Sequence, residues 1–119
     1  MGKDKDIIQR TFAFAVSIVE LADKLSRATS AARTLSFQIL RSGTSIGANV
    51  EEAQAAESKA DFIHKYNIAL KEARETKYWL RLLDASKMAS DEDLVASTRE
   101  SDEICRIIAQ IIINARNKK

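Results

Sequence analysis

Carboxylate side chains occur in two groups whose spacing could bind a metal or supply an acid and a base. Glu52 follows Asn49 by three residues, and Glu72 and Glu75 are also three residues apart. Helical di-metal sites combine Glu from two helices with Glu-x-x-His from two others. The chain has a single histidine, His64, and no Glu-x-x-His. We therefore expect no metal and no cofactor, and we interpret these acids as structural groups that pair with arginines or accept hydrogen bonds.

Nucleophilic side chains are equally poor candidates for catalysis. Ser42 and Ser45 lack an adjacent base, because His64 belongs to a different predicted helix. Cys105 is the only cysteine and lies in an apolar helical pattern, which is typical of a buried small side chain. The sequence predicts no catalytic residue and a protein that is not an enzyme.

Composition predicts one all-helical domain over residues 1–119. The chain has a formal charge of +2, no proline and three glycines, and it is rich in residues that favour helices. Its apolar runs are too short to span a membrane, and its first residues do not resemble a signal peptide. We expect a cytoplasmic protein with no membrane partner.

Capping residues and apolar periodicity predict four helices, at about residues 6–26, 30–57, 59–84 and 91–116. Short connections between them predict an antiparallel up-down-up-down four-helix bundle. The first helix carries two apolar rows, Ile8, Phe12, Ala15, Val19 and Ala22 on one and Ile7, Phe14, Ile18, Leu21 and Leu25 on the other. A monomer would leave a large apolar patch exposed, so we predict a homo-oligomer.

Two glycines lie within the second helix without breaking its apolar rhythm. A glycine inside a helix costs about 1 kcal/mol relative to alanine, so a contact elsewhere should compensate. We predict that Gly47 lies where another helix approaches closely, while Gly43 lies either at the same contact or at a kink. A phosphate-binding loop is the weaker interpretation, because the strand-to-helix context and the lysine are missing.

Ser45 and Asn49 lie close to Ile46, which the apolar rhythm of the second helix predicts to be buried. We predict that Ser45 and Asn49 hydrogen-bond within the close helix contact. We also predict that Glu52 is held by an arginine or by hydrogen-bond donors near Trp79.

Basic residues repeat along one side of the third helix, at Lys71, Arg74, Lys77 and Arg81. Residues 58–89 contain seven Lys or Arg against four acids. Such a row is usually a solvated face in a monomer, but an oligomer would repeat it, and phosphate binding strengthens with each contact. Base-specific recognition is not expected, because the sequence shows no exposed aromatic platform.

The segment RSGTSIGANVEEAQAAESKADFIHKYNIALKEARETKYWLRLL, residues 41–83, resembles the signature region of the 23S rRNA-intervening-sequence proteins, a family of four-helix bundles. The matching positions are Ser45, Ile46, Asn49, Glu52, Asp61, Phe62 and Glu75. The chain departs from the commoner pattern at Lys71 and Glu72, where many members have Gly-Ser, and in EEAQAAES, where many have an acid followed by glycine.

This resemblance implies a ribosomal-protein-like bundle that assembles as a homopentameric ring, with no established enzymatic activity. Genes of the family often lie inside insertions in large-subunit ribosomal RNA genes. A related bundle, the accessory protein of diversity-generating retroelements, has a similar ring form and binds nucleic acid and a reverse transcriptase.

Residues and resemblance together predict a non-catalytic oligomeric scaffold or adaptor. It would bind RNA or an RNA-associated protein through basic helix faces. The alternative is a bundle with a small-ligand or metal site at the carboxylates between helices or subunits.

Overall fold

The computed structural model describes residues 3–118, with side chains described for residues 6–118, and consists of four α-helices. These are α1 (Lys3–Ser26), α2 (Ser30–Gln54), α3 (Lys59–Ala85) and α4 (Asp91–Asn117). No strand occurs within residues 3–118. None of the described helices is long and apolar enough to cross a membrane.

Side-chain caps begin three of the four helices. Thr29, Ser58 and Ser90 each accept a hydrogen bond from the backbone amide three residues later, at 3.0 to 3.2 Å. These bonds satisfy amides that have no partner within the helix. Because Ser58 must be extended to cap α3, at φ −152°, the chain leaves the helical conformation before it. Helix α2 therefore ends at Gln54, three residues earlier than predicted.

The carboxyl end of α3 closes with a left-handed residue. Lys87 has φ +60°, and the amides of Lys87 and Met88 donate to the carbonyls of Asp84 and Leu83 at 3.2 and 3.1 Å. This is the hydrogen-bond pattern of a Schellman motif, in which glycine is the usual left-handed residue. The turn directs the chain into the connection to α4.

Each helix packs against two others, which makes the molecule a four-helix bundle about 51 Å long. Helix α1 contacts α2 and α4, and α3 contacts α2 and α4. Helices α1 and α3 therefore lie diagonally across the bundle. The core of the described residues is built mainly from aliphatic side chains, together with two buried aromatic residues, Phe14 and Tyr66.

The two apolar rows of α1 have different environments. The row that contains Ile7, Phe14 and Ile18 is buried in the core along its whole length. Of the other row only Ala22 is buried, whereas Phe12 and Val19 are exposed. One chain thus buries the first row completely, whereas the second row is only partly buried and keeps Phe12 and Val19 open to solvent.

Candidate functional site

The two glycines of α2 lie against α1. A Cβ atom built on Gly43 would be 2.7 Å from Cγ2 of Ile18, and one built on Gly47 would be 3.3 Å from the backbone carbonyl of Thr11. Helix α2 runs without interruption from Ser30 to Gln54, so neither glycine marks a helix end. Gly47 thus lies at a close helix contact as the sequence predicted, and Gly43 lies at a closer one.

Ser45 and Asn49 do not take part in that contact, and this prediction was wrong. The hydroxyl of Ser45 donates to the carbonyl of Arg41 at 2.6 Å, and Nδ2 of Asn49 donates to the carbonyl of Ser45 at 2.8 Å. Both bonds stay within α2, because a short polar side chain reaches the carbonyl one turn back more easily than a neighbouring helix. Ile46, between them, is fully buried in the core.

The predicted environment of Glu52 was also wrong. Its carboxylate pairs with the ammonium of Lys65 at 2.9 Å, and this pairing raises the pKa of Lys65. Glu52, near the end of α2, pairs with Lys65, near the start of α3, whereas Arg41 lies earlier in α2 and pairs with Glu75, which lies later in α3. Trp79 instead lies at the level of Arg41, where its indole N–H donates to Glu75 at 3.2 Å.

Arg41 pairs with two carboxylates of α3, Glu72 and Glu75. Its guanidinium contacts Glu75 and lies 3.3 Å from Glu72. Across the described residues, no three His, Cys, Asp or Glu side chains are grouped so that they could hold a metal ion. Glu52 is engaged separately with Lys65. The carboxylates singled out for the alternative ligand site therefore do not converge on one point.

Of the four basic residues predicted along one side of α3, Lys77 forms an ion pair with a described residue and the other three do not. Nζ of Lys77 lies 2.8 Å from Oδ1 of Asp102 on α4, so the two side chains form an ion pair. The angles at this contact are outside the range of a hydrogen bond. Lys71, Arg74 and Arg81 are exposed, and none of them forms an ion pair with any residue that the structure describes. These three residues are called the α3 basic row below.

Tyr78 was missed as a candidate site residue. Its side chain is 52 % exposed and lies four residues after Arg74 and three before Arg81, which places the three side chains on one helix face. Its ring packs edge-on against Trp79, with centroids 5.1 Å apart and planes at 72°. The sequence predicted no exposed aromatic platform, and it did not single out Tyr78 as an exposed aromatic ring beside the basic residues. The signal in the sequence that could have identified Tyr78 was its spacing, four residues after Arg74 and three before Arg81.

A surface depression of about 370 Å³ adjoins the basic row. It is lined by Tyr78, Arg81, Leu82, Asp84 and Ala85. The depression therefore combines an aromatic ring and an apolar floor with one charge of each sign.

Cys105 has the surroundings of a structural residue. It is half-buried on α4, and burial raises the pKa of its thiol, an effect that the nearby charges of Lys77 and Arg74 only partly oppose. A raised thiol pKa lowers the thiolate fraction at neutral pH, and the thiolate is the reactive form.

Comparisons with known proteins agree with this architecture. The family model described as 23S rRNA-intervening sequence protein matches residues 3–110. A crystal structure from Bacteroides thetaiotaomicron, described as a protein of unknown function from the S23 ribosomal protein family, is 45 % identical with a TM-score of 0.84. That similarity covers 92 % of this chain and 97 % of the other. Neither description names a reaction, and no curated protein matches. The chain therefore belongs to the family of 23S rRNA-intervening sequence proteins.

Proposed function

We propose that this chain is a non-catalytic oligomeric scaffold that binds RNA. Copies of an up-down-up-down bundle associate through α1 and α2 into a ring of five, and each copy presents the α3 basic row to the phosphates of RNA. The observation that carries the proposal is the separation of two unlike surfaces. Three of the exposed apolar residues, Phe12, Val16 and Val19, share one side of α1, whereas the α3 basic row lies on the helix diagonal to α1.

The apolar surface supports self-association. Phe12, Val16 and Val19 repeat at helical spacing on α1 and are 63, 46 and 49 % exposed. Phe37 is exposed on α2, which packs beside α1. A row of exposed apolar side chains such as that on α1 is typical of a surface that contacts another protein. A second copy of the same chain would bury it at no cost in ion pairs, since these residues carry no charge.

The α3 basic row supports phosphate binding. Lys71, Arg74 and Arg81 are exposed and form no ion pair with the side chains described for residues 6–118, so binding a phosphate breaks no ion pair among them. Each phosphate neutralised releases counterions, and the effect accumulates with the number of contacts. A ring would repeat the row on every copy. The family description refers to 23S rRNA, which supports RNA as the polyanion.

The assembly is tested by a matched pair of substitutions. Val19→Glu places a charge in the apolar surface of α1, whereas Val95→Glu changes an equally exposed valine, 53 % accessible, on α4. Light scattering at micromolar concentration should return about five times the chain mass of 13.3 kDa for the unmodified protein and for Val95→Glu. Val19→Glu should return a smaller mass. A single-chain mass for the unmodified protein would show that the proposed assembly is wrong.

RNA binding is tested by its salt dependence. The double variant Arg74→Gln/Arg81→Gln removes two phosphate contacts, which should lower the slope of log affinity against log salt by about 1.4 for a single strand. Arg33→Gln removes an exposed charge on α2 and should leave the slope unchanged. If the assembled protein binds RNA with no salt dependence, or if both variants behave alike, the α3 basic row is not the RNA surface. Light scattering on each variant verifies that assembly is intact.

A further inference from the structure

Tyr78 interrupts the α3 basic row with an aromatic ring. Arg74 precedes it by one turn and Arg81 follows it by nearly one turn, so the ring lies between two guanidinium groups on the same face. About half of its surface is exposed. Proteins that bind single-stranded nucleic acid combine basic side chains along the backbone with aromatic rings on which bases stack.

A chain of contacts supports the Tyr78 ring. Trp79 packs edge-on against it, the indole N–H of Trp79 donates to Glu75 at 3.2 Å, and Glu75 is held by the guanidinium of Arg41 on the neighbouring helix. The aromatic pair is therefore tied to both α2 and α3. A ring held in this way loses little conformational freedom when a ligand stacks on it.

The depression beside Tyr78 brings an acidic side chain close to the ring. Asp84 lies at this depression, and its carboxylate repels a phosphate but can accept a hydrogen bond from the amino group of a base such as cytosine. Of the α3 basic row, Arg81 lines the depression, whereas Lys71 and Arg74 are not among its lining residues. The charges thus favour phosphates beside the row and a base over the depression.

We propose that Tyr78 stacks on an unpaired base of single-stranded RNA whose phosphates are bound by Arg74 and Arg81. This inference rests on the proposed function and specifies that the RNA bound by the α3 basic row is single-stranded. Paired bases in an RNA helix are stacked on one another and offer no face to a side chain, so a duplex can use only the cations. The site should therefore prefer single strands to duplexes.

The test compares two substitutions of one residue on two ligands. Tyr78→Phe keeps the aromatic ring, and Tyr78→Leu keeps an apolar side chain without it. The ligands are an unstructured RNA of about 12 nucleotides built from A and C, a length within the range that such surfaces occupy, and its duplex with the complementary strand. Affinity is measured for the full assembled protein. Emission from Trp79, the only tryptophan, gives a second signal, because a base stacked on the neighbouring ring should change it.

The proposal predicts that Tyr78→Leu binds the single strand about 5- to 150-fold more weakly, the range expected for one stacked base. Duplex binding should not change, and Tyr78→Phe should resemble the unmodified protein. The change in Trp79 emission on adding the single strand should also be lost in Tyr78→Leu alone. The DNA strand of the same sequence should show the same dependence on Tyr78 if the base, and not the sugar, is recognised.

Two results would overturn the stacking proposal. One is a Tyr78→Leu protein that binds the single strand as tightly as the unmodified protein while Arg74→Gln/Arg81→Gln binds it weakly, an outcome that leaves the proposed RNA binding intact. The other is equal weakening of single-strand and duplex binding by Tyr78→Leu, which would indicate a general disturbance of α3. Failure of the unmodified protein to bind either RNA would instead overturn both proposals.

Discussion

Replacing Gly43 by alanine tests the close packing of α1 on α2 with a single added methyl group. The new Cβ would lie 2.7 Å from Cγ2 and 2.9 Å from Cγ1 of Ile18. Carbon atoms normally approach to about 3.5 to 4.0 Å, so one of the two helices must move by roughly 1 Å. Ile18 is fully buried and, as a β-branched residue in a helix, has essentially one side-chain rotamer. It cannot turn away from the added atom.

Two opposing effects determine how much Gly43→Ala changes the free energy of unfolding. Alanine is the better helix former by about 1 kcal/mol, whereas overpacking a core contact typically costs about 1 to 3 kcal/mol. Gly43→Ala should therefore lower the free energy of unfolding by up to about 2 kcal/mol. At Gly47 the added Cβ would meet the carbonyl of Thr11 at 3.3 Å, which requires a shift of only a few tenths of an ångström. Gly47→Ala should thus be nearly neutral, and the two substitutions should rank in this order.

A double-mutant cycle with Ile18→Ala identifies the contact responsible. Ile18→Ala alone should cost about 2 to 5 kcal/mol by leaving a cavity, but it also removes the two atoms nearest to the added Cβ. The Cβ of residue 18 remains, 3.2 Å from the added Cβ, so the helices need to shift by only a few tenths of an ångström. In that background Gly43→Ala should stabilise the protein by up to about 1 kcal/mol, the helix-propensity gain. Denaturant unfolding is measured for all four proteins at one fixed protein concentration, because the proposed assembly would make stability depend on concentration.

The reasoning is refuted by either of two results. If Gly43→Ala stabilises the otherwise unmodified protein by the full propensity gain of about 1 kcal/mol, there is no close contact to overpack. If its effect is the same with and without Ile18→Ala, the two residues are not coupled, and the glycine has another role.

Two further predictions concern polar groups and backbone geometry. Thr76→Val should cost about 1 to 3 kcal/mol, since the buried hydroxyl of Thr76 lies 2.8 Å from that of Ser42 and its loss leaves Ser42 without this partner; an unchanged denaturation midpoint would contradict this. Lys87→Gly should raise the melting temperature. It removes about 1 to 2 kcal/mol of strain from the left-handed backbone conformation, and the greater conformational entropy that glycine loses on folding offsets about 0.5 to 1 kcal/mol of that gain. Ser86→Gly, at φ −88°, is the control that should lower the melting temperature, and a rise in both or in neither would show that φ of Lys87 is not the cause.

Local signals in the sequence determined the helices and most of their starts. Thr29, Ser58 and Ser90 cap helices where the sequence placed those starts, because a cap depends only on residues within one turn. The all-helical bundle likewise followed from periodicity and short connections. The sequence also identified α1 as carrying two apolar rows, although which row enters the core depends on how α1 is rotated against its neighbours.

Only the tertiary structure decided which side chains meet. Glu52 pairs with Lys65 and Arg41 with Glu75 because of the register between α2 and α3, and that register follows from packing along the entire bundle. The exposure of Tyr78 beside Trp79 has the same origin, since a small rotation of α3 decides which of two adjacent aromatic residues faces inward. Periodicity assigns a residue to a face within about 100°, whereas an ion pair or a stacking surface requires the position of the neighbouring helix as well.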